Sequence, residues 1–218
     1  MSVPIKIDFV SDVSCPWCAI GLKALEQAID RLGDEVSVQI HFQPFELNPD
    51  MPAEGHDSTQ HLAEKYRTTP EQIDSNREAI RARGEQLGFT FRMDRRSRVY
   101  NTFDAHRLLH WAGLEGRQKE LKHALFRAYF SDGKNVGEHA TLVALAAEAG
   151  LDSAIAARIL AADTYAAEVR AQERFYTGHG IRAVPAVILN DRHLIEGGQP
   201  VEMFEKALRQ VAAEKPAP

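Results

Sequence analysis

The two cysteines of this chain, Cys15 and Cys18, stand three positions apart at the boundary between two periodic segments. Residues 5–9 alternate apolar and polar as in a β-strand, and apolar residues recur at helical spacing over 20–32. Pro16 suits the first turn of such a helix, where its missing N–H has no partner to lose. The sequence therefore predicts both sulfurs at the N-terminus of a helix that follows directly on a strand.

This placement favours thiol chemistry. A thiolate carries out disulfide exchange, and a free cysteine with a pKa of about 8.5 is mostly protonated at neutral pH. The unpaired N–H groups and positive dipole end of a helix N-terminus lead us to expect a lowered pKa for Cys15. The spacing lets Cys18 reach the first sulfur and resolve a mixed disulfide. We expect Cys15 to be the exposed attacking thiol and Cys18 the buried resolving thiol.

Two other interpretations of the cysteine pair remain open. The pair could be half of a zinc site, with His106 and His110 as the best further ligands because they lie four residues apart on one predicted helix. The segment between these histidines lacks the glutamate of a zinc protease motif. The cysteines could also be inert core residues, although the strand, turn and helix around them favour redox chemistry. We therefore predict no metal site.

The rest of the chain indicates an α/β fold. A strand predicted over residues 36–42 follows the first helix, and a helical crossover makes two such strands parallel. Residues 56–180 are almost entirely helical in pattern. Strand patterns return at 186–189 and 193–195, and the turn dipeptide Asn190-Asp191 between them predicts a hairpin.

The helical middle is interpreted as an insertion. One of its helices is predicted to begin at about Asn101, and another runs from Ile155 on through Val169. We predict that residues 1–50 and 166–218 form one α/β domain, which an inserted helical domain over residues 51–165 interrupts.

Composition limits the partners. The net charge is -5, and an acidic balance argues against a protein that grips nucleic acid through its phosphates. No apolar stretch approaches the roughly 20 residues that cross a bilayer, so no membrane partner is expected. Apolar and polar residues alternate near the N-terminus, as in a strand, and the charged, apolar and small-residue order of a signal peptide is not seen there. We therefore expect a cytoplasmic location.

Four motifs in a fixed order reveal a family resemblance. They are Ser11-Asp12-Val13-Ser14-Cys15-Pro16-Trp17-Cys18, Asn101-Thr102-Phe103-Asp104-Ala105-His106-Arg107-Leu108, Gly180-Ile181-Arg182-Ala183-Val184-Pro185-Ala186 and Gly197-Gly198-Gln199-Pro200. This arrangement resembles the DsbA-like branch of the thioredoxin superfamily, and within it the FrnE-like oxidoreductases. The resemblance implies a thioredoxin fold interrupted by a large helical insertion.

The resemblance also implies roles for individual residues. Cys15 would be the nucleophile and Cys18 the resolving cysteine of an oxidoreductase that acts on protein or small-molecule disulfides. Its expected partners are a disulfide-containing protein or peptide substrate and a thiol reductant. Pro185 would be a cis-proline that faces the pair. Val184 would offer its backbone to an extended substrate, which could pair there as an added strand.

Four further residues are implied to bind substrate: Pro16, Trp17, Asn101 and His106. The dipeptide Pro16-Trp17 departs from the Pro-His of periplasmic DsbA enzymes, and an indole cannot supply the positive charge that a histidine gives a thiolate. In a reducing compartment the pair would rest as a dithiol. A reductase or isomerase role is therefore expected.

Two alternative functions remain. The kappa-class glutathione transferases and 2-hydroxychromene-2-carboxylate isomerases resemble the same architecture, but generally carry serine where this chain has Cys15. A peptide-binding, chaperone-like module is the other alternative. We expect no bound cofactor; glutathione is a candidate co-substrate, and a homodimer is a candidate assembly.

Nearby charged residues offer secondary candidates. The basic run over residues 92–98 could hold a glutathione carboxylate, although a solvated face is the more ordinary role for such a run. Asp8 or Asp12 could accept a proton from Cys18, although an aspartate in a turn more often bonds locally.

Overall fold

A four-stranded sheet forms the base of the structure, a computed structural model that describes residues 3–214. Strand β1 (Val3–Ser11) pairs parallel with β2 (Val36–Pro44) and antiparallel with β5 (Ala186–Leu189). Strand β6 (His193–Glu196) completes the order β2-β1-β5-β6. The predicted parallel pair and the C-terminal hairpin are both confirmed.

Helices supply most of the chain between β2 and β5. The remaining elements are α1 (Pro16–Leu32), β3 (His56–Asp57), α2 (Ser58–Tyr66), α3 (Pro70–Gln86), β4 (Arg98–Val99), α4 (Phe103–Leu114), α5 (Gln118–Phe130), α6 (His139–Glu148), α7 (Ser153–Ala161), α8 (Ala166–Gly178) and α9 (Val201–Ala213). Strands β3 and β4 pair antiparallel. They are too short for an alternating pattern to show in the sequence. No helix within residues 3–214 has the length and apolar character needed to cross a bilayer.

The prediction of one helix from Ile155 through Val169 was wrong. The structure has two helices there, because Ala162 is extended and Tyr165 has a φ of 63°. The buried guanidinium of Arg107 donates to the Thr164 carbonyl oxygen at 2.9 Å and to two carbonyl oxygens at the end of α7. The break is therefore stabilised by a distant side chain, which the apolar spacing of the segment does not reveal.

Both faces of the sheet are covered. Phe9 belongs to the large apolar core, together with Leu25 of α1 and Phe126 of α5. The next residue, Val10, points the other way into a smaller core with Tyr176 of α8. The sheet and the helical middle thus share one continuous core. The domain boundaries proposed from the sequence stay predictions.

Candidate functional site

The two cysteines occupy the first turn of α1. Cys15 is the N-cap residue, and its carbonyl oxygen accepts hydrogen bonds from Cys18 N at 3.1 Å and Ala19 N at 3.4 Å. Pro16 takes a first-turn position, as the sequence predicts. Both thiols are free, and Cys18 is fully buried. Both cysteines therefore lie at the N-terminus of the helix that follows β1, where the sequence places them.

Cys15 is less accessible than the sequence suggests. It was predicted to be an exposed thiol, but it is only 4% exposed. The segment that precedes β5 covers it, and Cys15 Sγ lies 3.6 Å from the carbonyl oxygen of Val184. Cys15 lines a cavity of about 820 Å³. A substrate would therefore reach the sulfur from this cavity rather than from open solvent.

Two glycines allow distant loops to lie against the start of α1. The Val184–Pro185 peptide bond is cis. A Cβ built on Gly21 would lie 3.1 Å from Cγ of Pro185, and one built on Gly198 would lie 3.0 Å from the carbonyl oxygen of Trp17. Side chains at these positions would crowd the loops, so glycine lets both segments lie close to the first turns of α1.

A buried carboxylate fixes the turn that precedes Cys15. Asp12 is fully buried; its oxygens accept hydrogen bonds from Ser14 N, Ser14 Oγ and Leu47 N at 3.1, 2.9 and 2.7 Å. His106 Nε2 lies 3.6 Å from Asp12 Oδ1. Burial acts to raise the pKa of Asp12, but His106 and these N–H donors outweigh it, and the pKa is lowered. The carboxylate is therefore held in its charged form.

The environment of the Cys18 thiol disfavours its charged form. Burial is the main reason that the pKa of Cys18 rises well above its ordinary value, and the adjacent Cys15 sulfur adds to the rise. The ammonium of Lys122 acts in the opposite direction. Cys18 is thus held as a thiol until something removes its proton. No sequence motif marks Lys122; its one local signal is that it stands four residues before Phe126, on the apolar face of α5.

Two residues predicted to bind substrate do not line the cavity. The Asn101 side chain donates to the carbonyl oxygens of Pro49 and Met51 and accepts from Phe103 N, so it secures the start of α4. His106 is 3% exposed and faces Asp12. Their substrate-binding roles stay predictions. Pro16, Trp17 and Val184 do line the cavity, and Trp17 is 42% exposed.

The cavity is lined both by segments next to the sheet and by helices inserted between β2 and β5. They include the first turn of α1, the loop after β2, one side of α2 and α3, and the segment before Pro185. Four cationic side chains line the cavity: Lys65, Arg77, Arg96 and Arg182. Arg96 belongs to the basic run over residues 92–98. Together they give the cavity a positive wall near Cys15.

One acidic side chain, that of Glu46, is found among the described residues that line the cavity. It pairs with Arg170, which also contacts Glu173 at 2.8 Å. Burial is the main reason that the pKa of Glu46 rises to about 7; the negative charge of Glu173 adds to this, and Arg170 opposes it. The charge of the cavity therefore changes near neutral pH. No sequence motif marks Glu46.

The other candidate ligands and bases have ordinary partners. Asp8 bonds Lys6 at 2.9 Å and Gln43 at 2.7 Å, on the sheet. His110 stacks on Tyr165, with ring centroids 5.0 Å apart. Within residues 3–214, no group of three or more histidine, cysteine or acidic side chains is arranged to hold a metal ion.

The sheet order and the cysteine pair at the N-terminus of α1 define a thioredoxin-like protein with helices inserted between β2 and β5. Residues 6–209 match the model of the DSBA-like thioredoxin domain, and the chain belongs to this family. The predicted DsbA-like fold is thereby confirmed.

Two similar proteins cover nearly the whole chain. The uncharacterized protein YwbO of Bacillus subtilis is 31% identical over 209 residues, which span 95% of this chain and 96% of YwbO. A probable DsbA oxidoreductase from Streptomyces coelicolor is 33% identical, with a TM-score of 0.91 over 98% of this chain and 93% of that one.

More distant structures share the fold alone. A 2-hydroxychromene-2-carboxylate isomerase has a TM-score of 0.68 and 16% identity over 94% of this chain and 95% of that one. The cytosolic disulfide reductase DsbM from Pseudomonas aeruginosa, solved with GSH, has a TM-score of 0.63 and 18% identity over 94% of this chain and 98% of its own. The fold therefore occurs in both a reductase and an isomerase.

Proposed function

We propose that this protein is a thiol–disulfide oxidoreductase that works through its Cys-Pro-Trp-Cys pair, as a reductase or isomerase in a reducing compartment, the cytoplasm. The observation that carries the proposal is the position of Cys15, at the N-terminus of α1 and on the wall of a large cavity. Cys18 is one turn inside the helix and fully buried. Such a pair can attack a disulfide with one sulfur and release the product with the other.

The residue between Pro16 and Cys18 supports the reductive direction. The Trp17 side chain is neutral, so it supplies no positive charge to stabilise a thiolate in the reduced pair. A protein whose reduced form is less stabilised is a weaker oxidant. DsbM, which has the same fold, is a cytosolic reductase. Reduction or isomerisation of disulfides agrees with both observations.

Labelling of the thiols tests this proposal directly. Because burial raises the pKa of Cys18, we expect a small alkylating agent to modify Cys15 first over pH 6–9, and mild oxidation to link the two cysteines. Mass mapping of the labelled peptides gives the order of modification, and an insulin-reduction assay gives turnover. Equal labelling of both thiols without formation of the internal disulfide would contradict a redox role.

We further propose that glutathione is a co-substrate that enters this cavity. A volume of about 820 Å³ lies in the range of small-molecule sites. Glutathione carries two carboxylates, which the cations of the cavity wall would attract, and one ammonium group, for which ionised Glu46 would be a partner. In this proposal Val184 and Pro185 present the backbone edge beside Cys15 against which the peptide lies.

The contribution of the positive wall can be measured at Arg182. Replacing Arg182 by glutamine is expected to raise KM for glutathione disulfide up to about fivefold with little change in kcat, because an exposed ion pair contributes about 1 kcal/mol at most. A neutral substrate, 2,2′-dipyridyl disulfide, should react at an unchanged rate. Arg174→Gln is the matched control, since Arg174 is exposed and does not line the cavity. Equal effects of both substitutions would argue against an anion at this wall.

The glutathione-dependent transferase or isomerase alternative predicts a different role for the second thiol. Relatives of that kind would need no resolving cysteine, so a Cys18→Ser variant would keep full turnover. A chaperone-like module would keep its partner binding in Cys15→Ser and show negligible disulfide exchange in the parent. Membership of the FrnE-like group and the homodimer stay predictions.

A further inference from the structure

Arg96 is a cationic residue of the cavity wall that forms no ion pair with a carboxylate within residues 3–214. Its Nε is buried and makes no hydrogen bond there, and its Nη1 contacts the Met93 sulfur at 4.0 Å. Buried polar groups in folded proteins are nearly always paired, so an unpaired donor on a charged group needs an explanation. The guanidinium has hydrogen-bonding capacity that its own chain does not use.

The other three cations described on the wall are already bound to oxygens of the chain. Lys65 donates to two oxygens of the loop after β2, at 2.6 and 2.7 Å. Arg77 pairs with Asp74 at 3.1 Å, and Arg182 donates to a backbone carbonyl oxygen at 2.8 Å. Arg96 therefore differs from them, because in the described chain it has no carboxylate or carbonyl acceptor.

The Arg96 guanidinium is held in position before any ligand binds. It lies over the buried rings of Tyr129 and Phe130, whose centroids are 5.0 and 5.4 Å away. The Arg96 carbonyl oxygen accepts a hydrogen bond from Ser58 Oγ at 3.1 Å, so the backbone is secured as well. A guanidinium that stacks on aromatic faces can still offer its planar edge to a carboxylate through two parallel hydrogen bonds. Its fixed position lowers the entropy that binding would cost.

We propose that Arg96 is the carboxylate-binding residue of the substrate site and selects small anionic disulfides. This inference rests on the proposed function. Arg96 and Cys15 line the same cavity, so a small disulfide whose sulfur meets Cys15 can direct a carboxylate to Arg96. Glutathione disulfide carries such carboxylates. Arg96 acts on binding and not on the exchange of sulfurs, so it is a specificity-determining residue.

Two small disulfides of similar size test this role. 3,3′-Dithiodipropionate carries a carboxylate at each end, and bis(2-hydroxyethyl) disulfide carries none. We expect Arg96→Gln to lower the ratio of their kcat/KM values, anion over neutral, about tenfold and mainly through KM, because a charge-assisted bond is lost. A ratio measured on one variant is insensitive to a uniform loss of activity. An unchanged ratio in Arg96→Gln would overturn the role of Arg96.

Arg95→Gln is the matched control, because it removes the same charge from the neighbouring position. Arg95 is exposed and does not line the cavity, so the ratio should stay at the parent value. An equal fall in both variants would assign the effect to the net charge of the protein and would contradict a specific site. If the parent protein reduced neither disulfide, the proposed function itself would fail, and this result differs from an unchanged ratio.

A binding experiment on the parent protein covers the case in which Arg96→Gln does not fold. S-methylglutathione is a thioether, so it can occupy the cavity without exchanging sulfurs. In 15N-labelled protein, the Nε–H signal of Arg96 reports on the guanidinium and the indole N–H signal of Trp17 reports on the cavity. We expect S-methylglutathione to shift both signals to saturation, and its dimethyl ester to shift the Arg96 signal much less. A shift of the Trp17 signal alone, or of neither signal, would refute the proposal.

Discussion

Cys18→Ser is expected to turn the catalyst into a trap for its substrate. Cys15 keeps its place at the helix N-terminus and can still attack, but the mixed disulfide then lacks a neighbouring thiol to resolve it. We expect turnover in the insulin assay to fall at least about a hundredfold, a change of about 3 kcal/mol in the activation barrier. Mass spectrometry should show one substrate chain bound through Cys15.

Cys15→Ser provides the control for this trap. It should lose exchange and form no adduct, because Cys18 has no exposed surface and a raised pKa. A thermal melt of each variant should match the parent, since one sulfur is replaced by one oxygen. Full turnover by Cys18→Ser would favour the glutathione-dependent transferase or isomerase alternative instead.

Asp12→Ala is expected to lower the free energy of unfolding more than the cysteine or surface substitutions do. The substitution leaves the N–H groups of Ser14 and Leu47 without their acceptor and removes the charge opposite His106. Breaking a buried charged network of this kind costs about 3–5 kcal/mol. Chemical denaturation at pH 7 measures the loss, and thiol labelling of the folded variant would report any displacement of Cys15.

The loss at Asp12 should depend on pH in a defined direction. Its pKa is lowered in the folded protein, so its stabilising contribution is present above the unfolded value of 3.8. The contribution disappears as the pH falls through the lower folded pKa. The difference between parent and Asp12→Ala should therefore shrink below about pH 4. Asp34→Ala, at an exposed carboxylate, should change stability by less than about 0.5 kcal/mol at either pH.

The local elements of the fold are readable from the sequence because their signals are local. The alternation of β1, the helical spacing of α1 and the Asn190-Asp191 turn each depend on neighbouring residues. In the structure both turn residues have positive φ angles, 49° and 56°, which asparagine and aspartate adopt more readily than most side chains. The position of both cysteines at the start of α1 follows from the same local pattern.

The features that escaped sequence reasoning depend on contacts between distant segments. The burial of Cys15 comes from the segment around Val184, far along the chain. The break between α7 and α8 is stabilised by Arg107 of α4. Glu46 has an unusual environment because Arg170 and Glu173 of α8 pack beside it. None of these neighbours is close in sequence, so no periodic pattern reports them.

The sheet topology also fixes when the site can exist during synthesis. Strand β1 enters the ribosomal exit tunnel first, but its antiparallel neighbour β5 is made only after the entire helical middle. Chains emerge N-terminus first, and pairing across so long a separation is slow to form. A nascent chain therefore carries two reactive thiols without the segment that later encloses Cys15. Until the segment around Val184 is translated, Cys15 lacks the cover that it has in the folded protein.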